Sequence, residues 1–115
     1  MRDIHGEITY KDKKLKYIFN INVMEKIQEK YGSLDKWGSL TDGKNGEPNA
    51  AALKFGFREM LNEAIDISNE ENNTNEPFFT LQQVGRILTA VGFDRATAKL
   101  NKTIIDSTAN PEKNG

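Results

Sequence analysis

Apolar and polar residues alternate near the start of the chain, where two short segments have the pattern of β-strands. Residues 4–10 form the first segment, and residues 15–19 form the second, in which leucine, tyrosine and phenylalanine take every other position. A period of two is typical of a strand that packs one face on a core. Residues 11–14 are all polar and favour a turn, so we expect a β-hairpin over residues 4–19. An isolated hairpin is marginally stable in water, and this one must therefore pack on the remainder of the chain.

After the hairpin, apolar residues recur three and four positions apart, which is typical of amphipathic helices. The helix ends carry matching signals. Asn22 with Glu25 and Thr80 with Gln83 have the spacing of a capping box, and Gly32 is placed to end a helix. Helical segments are therefore predicted at about 22–31, 49–67, 80–91 and 94–107.

The segments between these helices are polar. Ser33 is placed to cap a short helical turn over residues 34–37, whereas residues 39–49 and 68–76 are predicted to be loops. The pattern as a whole predicts an α+β fold: an N-terminal β-hairpin packed on a small, mainly α-helical domain with three main helices plus the short helical turn. A chain of 115 residues suits a single domain, which we place at residues 1–109, followed by a flexible tail at 110–115.

The longest predicted helix, residues 49–67, carries the clearest core-facing stripe. Five of its apolar residues cluster within about a third of the helix circumference. They are Leu53, Phe57, Met60, Leu61 and Ala64. Phe55 falls nearly opposite this stripe, so we expect it to face a second contact surface. A polar replacement of Phe55 is expected to spare folding and weaken partner binding.

Charge and composition narrow the function classes. The chain has 16 basic and 17 acidic side chains, a formal net charge of -1, so no overall field attracts nucleic acid or an anionic membrane. It has no cysteine, which excludes disulfides and thiol chemistry and is compatible with a reducing compartment. No apolar stretch has the length of a membrane span or the form of a signal peptide. We therefore expect a cytoplasmic protein.

No residue pattern supports catalysis, and we expect no enzyme activity, no cofactor and no metal site. The only histidine, His5, lies near the terminus without a group to orient it. The acidic run that starts at Asp66 has the first ligand positions of a calcium loop, but Glu71 stands where that motif needs glycine and Pro77 where it needs glutamate. The glycines lack the spacing of a phosphate-binding loop.

The one local basic cluster lies at the predicted turn and consists of Lys11, Lys13, Lys14 and Lys16. Two interpretations are open. The cluster contacts nucleic acid, or it protects the strand edges against aggregation, as lysines commonly do. The second is preferred because no aromatic residues are interleaved with the lysines.

Several large apolar residues are left unburied by the predicted helical stripes. Aromatic residues of this kind are common anchors of protein interfaces. The candidate partner-binding residues are Phe55, Trp37, Phe78, Phe79 and Ile105. For Trp37, Phe78 and Phe79, burial under the hairpin and loops is an equally good interpretation.

The order of these features resembles the tail assembly chaperones of long-tailed phages, as found in prophages of Gram-positive bacteria. The likeness spans nearly the whole chain and is one of pattern and order, without a catalytic signature. It is carried by Ile4-His5-Gly6-Glu7-Ile8, Phe19-Asn20-Ile21-Asn22-Val23-Met24, Ile27, Tyr31-Gly32, Leu53-Lys54-Phe55-Gly56-Phe57, residues 60–67, Glu70-Glu71 and Val84-Gly85-Arg86.

The resemblance implies a cytoplasmic protein that keeps the hydrophobic tape measure protein soluble, helps bring tail tube subunits to it, and is absent from the mature virion. The expected partners are then the tape measure protein and the tail tube protein, with no nucleic acid and no membrane, and self-association is left open. The family supplies no defined site residues. Two alternatives are a small nucleic-acid-binding regulator that uses the lysine-rich hairpin and a structural tail component.

Overall fold

The alternating segment at the start of the chain forms an antiparallel hairpin in the structure, a computed structural model that describes residues 3–44 and 46–108. Strand β1 is Ile4–Tyr10 and strand β2 is Lys13–Phe19, with Ile4 opposite Phe19 and Tyr10 opposite Lys13. Only Lys11 and Asp12 form the turn, both with positive φ. Such a two-residue turn matches the right-handed twist of the strands. The predicted hairpin is confirmed, with a turn shorter than the four polar residues suggested.

Five helices follow in the described part of the chain, one at each of the four predicted helical segments and one at the predicted short turn. The stated count of three main helices was therefore too low, and the α+β class is confirmed. Their bounds are α1 Ile21–Tyr31, α2 Leu34–Thr41, α3 Ala50–Asn72, α4 Leu81–Val91 and α5 Phe93–Thr108. Among the described residues, none of these helices is both long and apolar enough to cross a bilayer. The tail predicted at 110–115 lies outside the described residues.

Helix α1 begins earlier than predicted because a different asparagine caps it. The side chain of Asn20 accepts a hydrogen bond from the backbone N–H of Val23 at 3.2 Å, and its amide donates to Glu63 Oε2 at 2.6 Å. Asn22 lies inside the helix and also donates to Glu63, at 3.0 Å. The capping box predicted at Asn22 is therefore wrong, whereas Gly32 ends the helix as predicted, with a φ of 93°.

Helices α2 and α3 are both longer than predicted. Ser33 caps α2 as expected, but the helix continues through Gly38 to Thr41, whose hydroxyl donates to the carbonyl of Trp37 at 3.1 Å. Asn49 caps α3 as expected. That helix continues through the predicted loop at 68–72, because solvent-facing polar residues are compatible with a helix, and it ends at Asn73 in the left-handed region.

The last two helices follow their predicted signals closely. Thr80 and Gln83 form the predicted capping box of α4, each side chain bonded to the other residue's backbone N–H. Helix α5 begins at Phe93, since the N–H of Ala96 already donates to the carbonyl of Gly92 at 2.9 Å. The predicted start at residue 94 is one residue late.

Helix α3 lies at the centre of the fold, with the hairpin on one side and α1 and α2 on another. All five residues of its predicted stripe are buried. The Tyr17 ring meets the Phe57 ring edge to face, with centroids 5.6 Å apart, and the Tyr17 hydroxyl lies 3.3 Å from the Thr103 hydroxyl of α5. These contacts join the hairpin to helices α3 and α5.

Candidate functional site

Trp37 is fully buried, at 0% exposure, and so is not a surface anchor. Its indole N–H donates to the backbone carbonyl of Ala52 at 2.9 Å, which ties α2 to the first turn of α3. Burial removes one large side chain from the set of candidate anchors. The sequence expectation that Trp37 is exposed is wrong, and the alternative interpretation of burial holds.

Phe55 also lies in the core, at 9% exposure. Its ring meets Tyr31 of α1 edge to face, with centroids 5.7 Å apart, and Lys30 Nζ and Arg58 Cζ lie over it at 5.4 and 5.5 Å from the centroid. The second contact surface inferred from its position on α3 therefore exists, but α1 of the same chain supplies it. The expectation that Phe55 is exposed is wrong.

Phe78 and Phe79 precede α4 and point to different environments. The side-chain amide of Asn62 accepts from the backbone N–H of Phe79 at 2.8 Å and donates to its carbonyl at 3.1 Å, and Phe79 packs partly on the core. Phe78, next to this fixed backbone, is 54% exposed. Of the aromatic candidates, Phe78 is thus the one that the structure places at the surface.

The exposed ring of Phe78 lines a shallow depression of about 270 Å³ between α1 and α3. Charged side chains surround the ring, most of them carboxylates. They are Lys26, Glu59, Glu63 and Asp66. An apolar ring bordered by charges matches the core and rim of a small protein interface.

Ile105 of α5 lies on a different surface and is 66% exposed. It lines a depression between α2 and α5 together with Leu34, Gly38 and Asn101. The structure therefore does not bring Ile105 and Phe78 into one continuous site.

One groove in the structure was not predicted. It has a volume of about 890 Å³ and lies between the first half of α3 and the outer face of α4. Leu53 and Leu88 line its floor but are only 1% and 5% exposed, whereas Phe93 at the start of α5 is 39% exposed at its edge and Ala50 is exposed at the start of α3. Sequence analysis assigned Leu53 to the core stripe of α3, and the structure confirms its burial.

Two ionisable side chains, His5 and Tyr31, differ in their surroundings. His5 is exposed on the outer face of β1, as its position near the terminus suggested. Burial raises the pKa of the Tyr31 hydroxyl, which lies beside Phe55. Within residues 3–44 and 46–108, no three histidine or acidic side chains lie close enough together to hold a metal ion.

The four lysines at the hairpin are divided between its two faces. Lys14 and Lys16 lie opposite Thr9 and Glu7 on the outer face, whereas Lys13 belongs to the other face and Lys11 lies over the Tyr10 ring at 5.3 Å. A divided cluster does not present one continuous surface for a phosphate backbone.

Comparison with known proteins does not extend this description: no family model, curated protein or solved structure matches the chain.

Proposed function

We propose that this protein is a phage tail assembly chaperone that binds the tape measure protein, keeps it soluble and brings tail tube subunits to it. Support comes from the chain-wide resemblance described above and from an exposed aromatic anchor on a charged surface. In this proposal the protein acts in the host cytoplasm and leaves before the virion is complete. It performs no chemistry, and its activity is the covering of apolar surface on its partner.

The observation that carries the proposal is the exposure of Phe78 beside a fixed backbone. Because Asn62 holds both backbone polar groups of Phe79, the backbone next to Phe78 has less conformational entropy to lose when Phe78 inserts into a partner. Full burial of an exposed phenylalanine side chain contributes about 1.5–3 kcal/mol, and Phe78, at 54% exposure, has roughly half of that left to gain. The surrounding carboxylates remain in water and keep the complex soluble.

The test is co-expression of the tape measure protein with the full chain, followed by co-purification and light scattering. The intact chain is expected to co-purify and to lower the scattering of its partner. Phe78→Ser is expected to weaken both effects, since it removes the anchor without disturbing the core.

Leu40→Ser is the matched control, because Leu40 is also an exposed apolar residue but lies on α2, away from Phe78. The control should behave like the intact chain. Unchanged scattering with the intact chain, together with no co-purification, contradicts the proposed function. Equal loss with both variants contradicts the role given to Phe78.

A further inference from the structure

The groove between α3 and α4 has two exposed apolar residues, Ala50 and Phe93, and positively charged sides. Its ionisable lining residues are Lys54 on α3 and Arg86 on α4, and no acidic residue lines it. The ion pairs among the described residues lie elsewhere, at Lys26–Glu29, Arg58–Glu59 and Lys102–Asp106. Two cations that flank apolar side chains therefore lack a carboxylate partner within the described chain.

Gly85 lies in this groove, in the middle of α4, where glycine destabilises a helix by roughly 0.5–1 kcal/mol relative to alanine. Two other glycines are explained by internal packing: a β-carbon at Gly6 or at Gly56 would overlap a buried aromatic ring. At Gly85 a β-carbon would meet only the flexible end of Lys54, at 3.4 Å from Cδ and 3.7 Å from Nζ. Nothing packed inside the chain requires glycine here, and the absence of a side chain leaves this point of the groove open to close approach by another backbone.

The groove favours a helix over an extended strand as its occupant. Both walls are helices whose central backbone groups are already hydrogen-bonded, so the groove offers side-chain packing and no free sheet edge. A helix satisfies its own backbone groups and presents one apolar face, whereas a strand in this place leaves its backbone unpaired.

We propose that this groove binds an acidic amphipathic helix of another protein. The apolar face of that helix packs on Phe93 and Ala50, its backbone approaches Gly85, and its carboxylates pair with Lys54 and Arg86. The proposal goes beyond the proposed function, because it concerns a surface separate from Phe78 and holds whichever protein supplies the helix.

The first test uses two synthetic amphipathic peptides, each about 15 residues long, a length at which isolated helices begin to be stable. Both have leucines on one face. One has glutamates flanking that face and the other has lysines at the same positions. Binding to the full chain is measured by calorimetry. The glutamate peptide is expected to bind about tenfold or more tightly than the lysine peptide.

The double variant Lys54→Glu/Arg86→Glu is expected to reverse this preference. Equal binding of both peptides to the intact chain, or an unchanged preference in the double variant, overturns the proposal. Failure of both peptides to bind also overturns it. Sedimentation of the chain alone at the same concentrations tests whether a second copy of the chain occupies the groove. If the chain self-associates and Arg86→Glu abolishes that self-association, the second copy is the occupant and the proposal is overturned.

The second test places a methyl group in the groove. Gly85→Ala is expected to weaken glutamate-peptide binding about fivefold or more, because it blocks the approach of the partner backbone. The melting temperature should not fall, and the better helix propensity of alanine is expected to raise it by about 2–6 °C.

Gly38→Ala is the matched control, since Gly38 also lies inside a helix and a β-carbon there meets nothing within 4 Å. It should raise the melting temperature similarly and leave peptide binding unchanged. Unchanged binding by Gly85→Ala overturns the proposed backbone approach. A failure of these tests leaves the Phe78 experiment unaffected, so the two proposals fail separately.

Discussion

The indole ring of Trp37 fills the space beside Gly56 that a β-carbon at residue 56 would need. Glycine in the middle of α3 therefore has a packing cause: it lets α2 approach α3 closely enough for the Trp37 N–H to reach the carbonyl of Ala52. The buried tryptophan and the glycine form one structural unit, and either residue alone would be unfavourable at its position.

Gly56→Ala is accordingly expected to destabilise the protein, although alanine is the better helix former. Overpacking against a fixed, buried ring costs about 1–3 kcal/mol, which exceeds the gain of ~1 kcal/mol or less in helix propensity. Chemical denaturation should show a lower free energy of unfolding. Gly38→Ala should show a higher one, and a stabilised Gly56→Ala would mean that the ring of Trp37 moves freely.

Phe55→Ser is expected to lower the free energy of unfolding by about 2–4 kcal/mol, because it removes a buried ring and its contacts with Tyr31, Lys30 and Arg58. This reverses the expectation from sequence. Phe78→Ser is the matched comparison, since removal of this exposed ring should change the free energy of unfolding by no more than about 0.5 kcal/mol. Equal stability of the two variants, measured by thermal and chemical denaturation, would contradict the burial of Phe55.

Thr97→Val is expected to stabilise the protein by about 1 kcal/mol. The Thr97 hydroxyl is the one buried side-chain polar atom in the described part of the chain that has no hydrogen-bond partner, and valine keeps its shape. Thr103→Val should do the opposite, because the Thr103 hydroxyl bonds to Lys99 and Tyr17. The measurement is the melting temperature of each variant. A lower melting temperature for Thr97→Val than for the intact chain would mean that the Thr97 hydroxyl does have a hydrogen-bond partner, and would contradict the prediction.

Stability is expected to fall at alkaline pH in part through Tyr31. Burial raises the pKa of its hydroxyl above 10.0, so the folded state favours the neutral form. The contribution of the neutral Tyr31 hydroxyl to the free energy of unfolding is complete below pH 10.0, and it is lost as the pH rises through the raised pKa of the folded state. Tyr31→Phe should show a shallower fall in the free energy of unfolding above that pH. Parallel pH profiles for the variant and the intact chain would exclude Tyr31 as the cause.

Most helices and the hairpin were predictable because their signals are local. The Thr80–Gln83 box, the Asn49 cap and the alternation in β2 each depend on residues a few positions apart. A helix boundary was predicted wrongly where two nearby residues both suit the start of the same helix. Asn20 and Asn22 both suit a helix start, and the helix starts after Asn20, whose side chain accepts from the N–H of Val23 while its amide donates to Glu63, more than forty residues away in the chain.

The candidate surfaces were harder to predict, since exposure depends on which elements cover a helix face. The sequence by itself determined the core stripe of α3 and placed Phe55 opposite it. Only the tertiary structure decided that α1 covers Phe55, that α2 buries Trp37, and that Phe78 stays exposed. The physical reason is that helical periodicity defines which residues share a face, whereas packing between distant segments determines whether solvent or another helix meets that face.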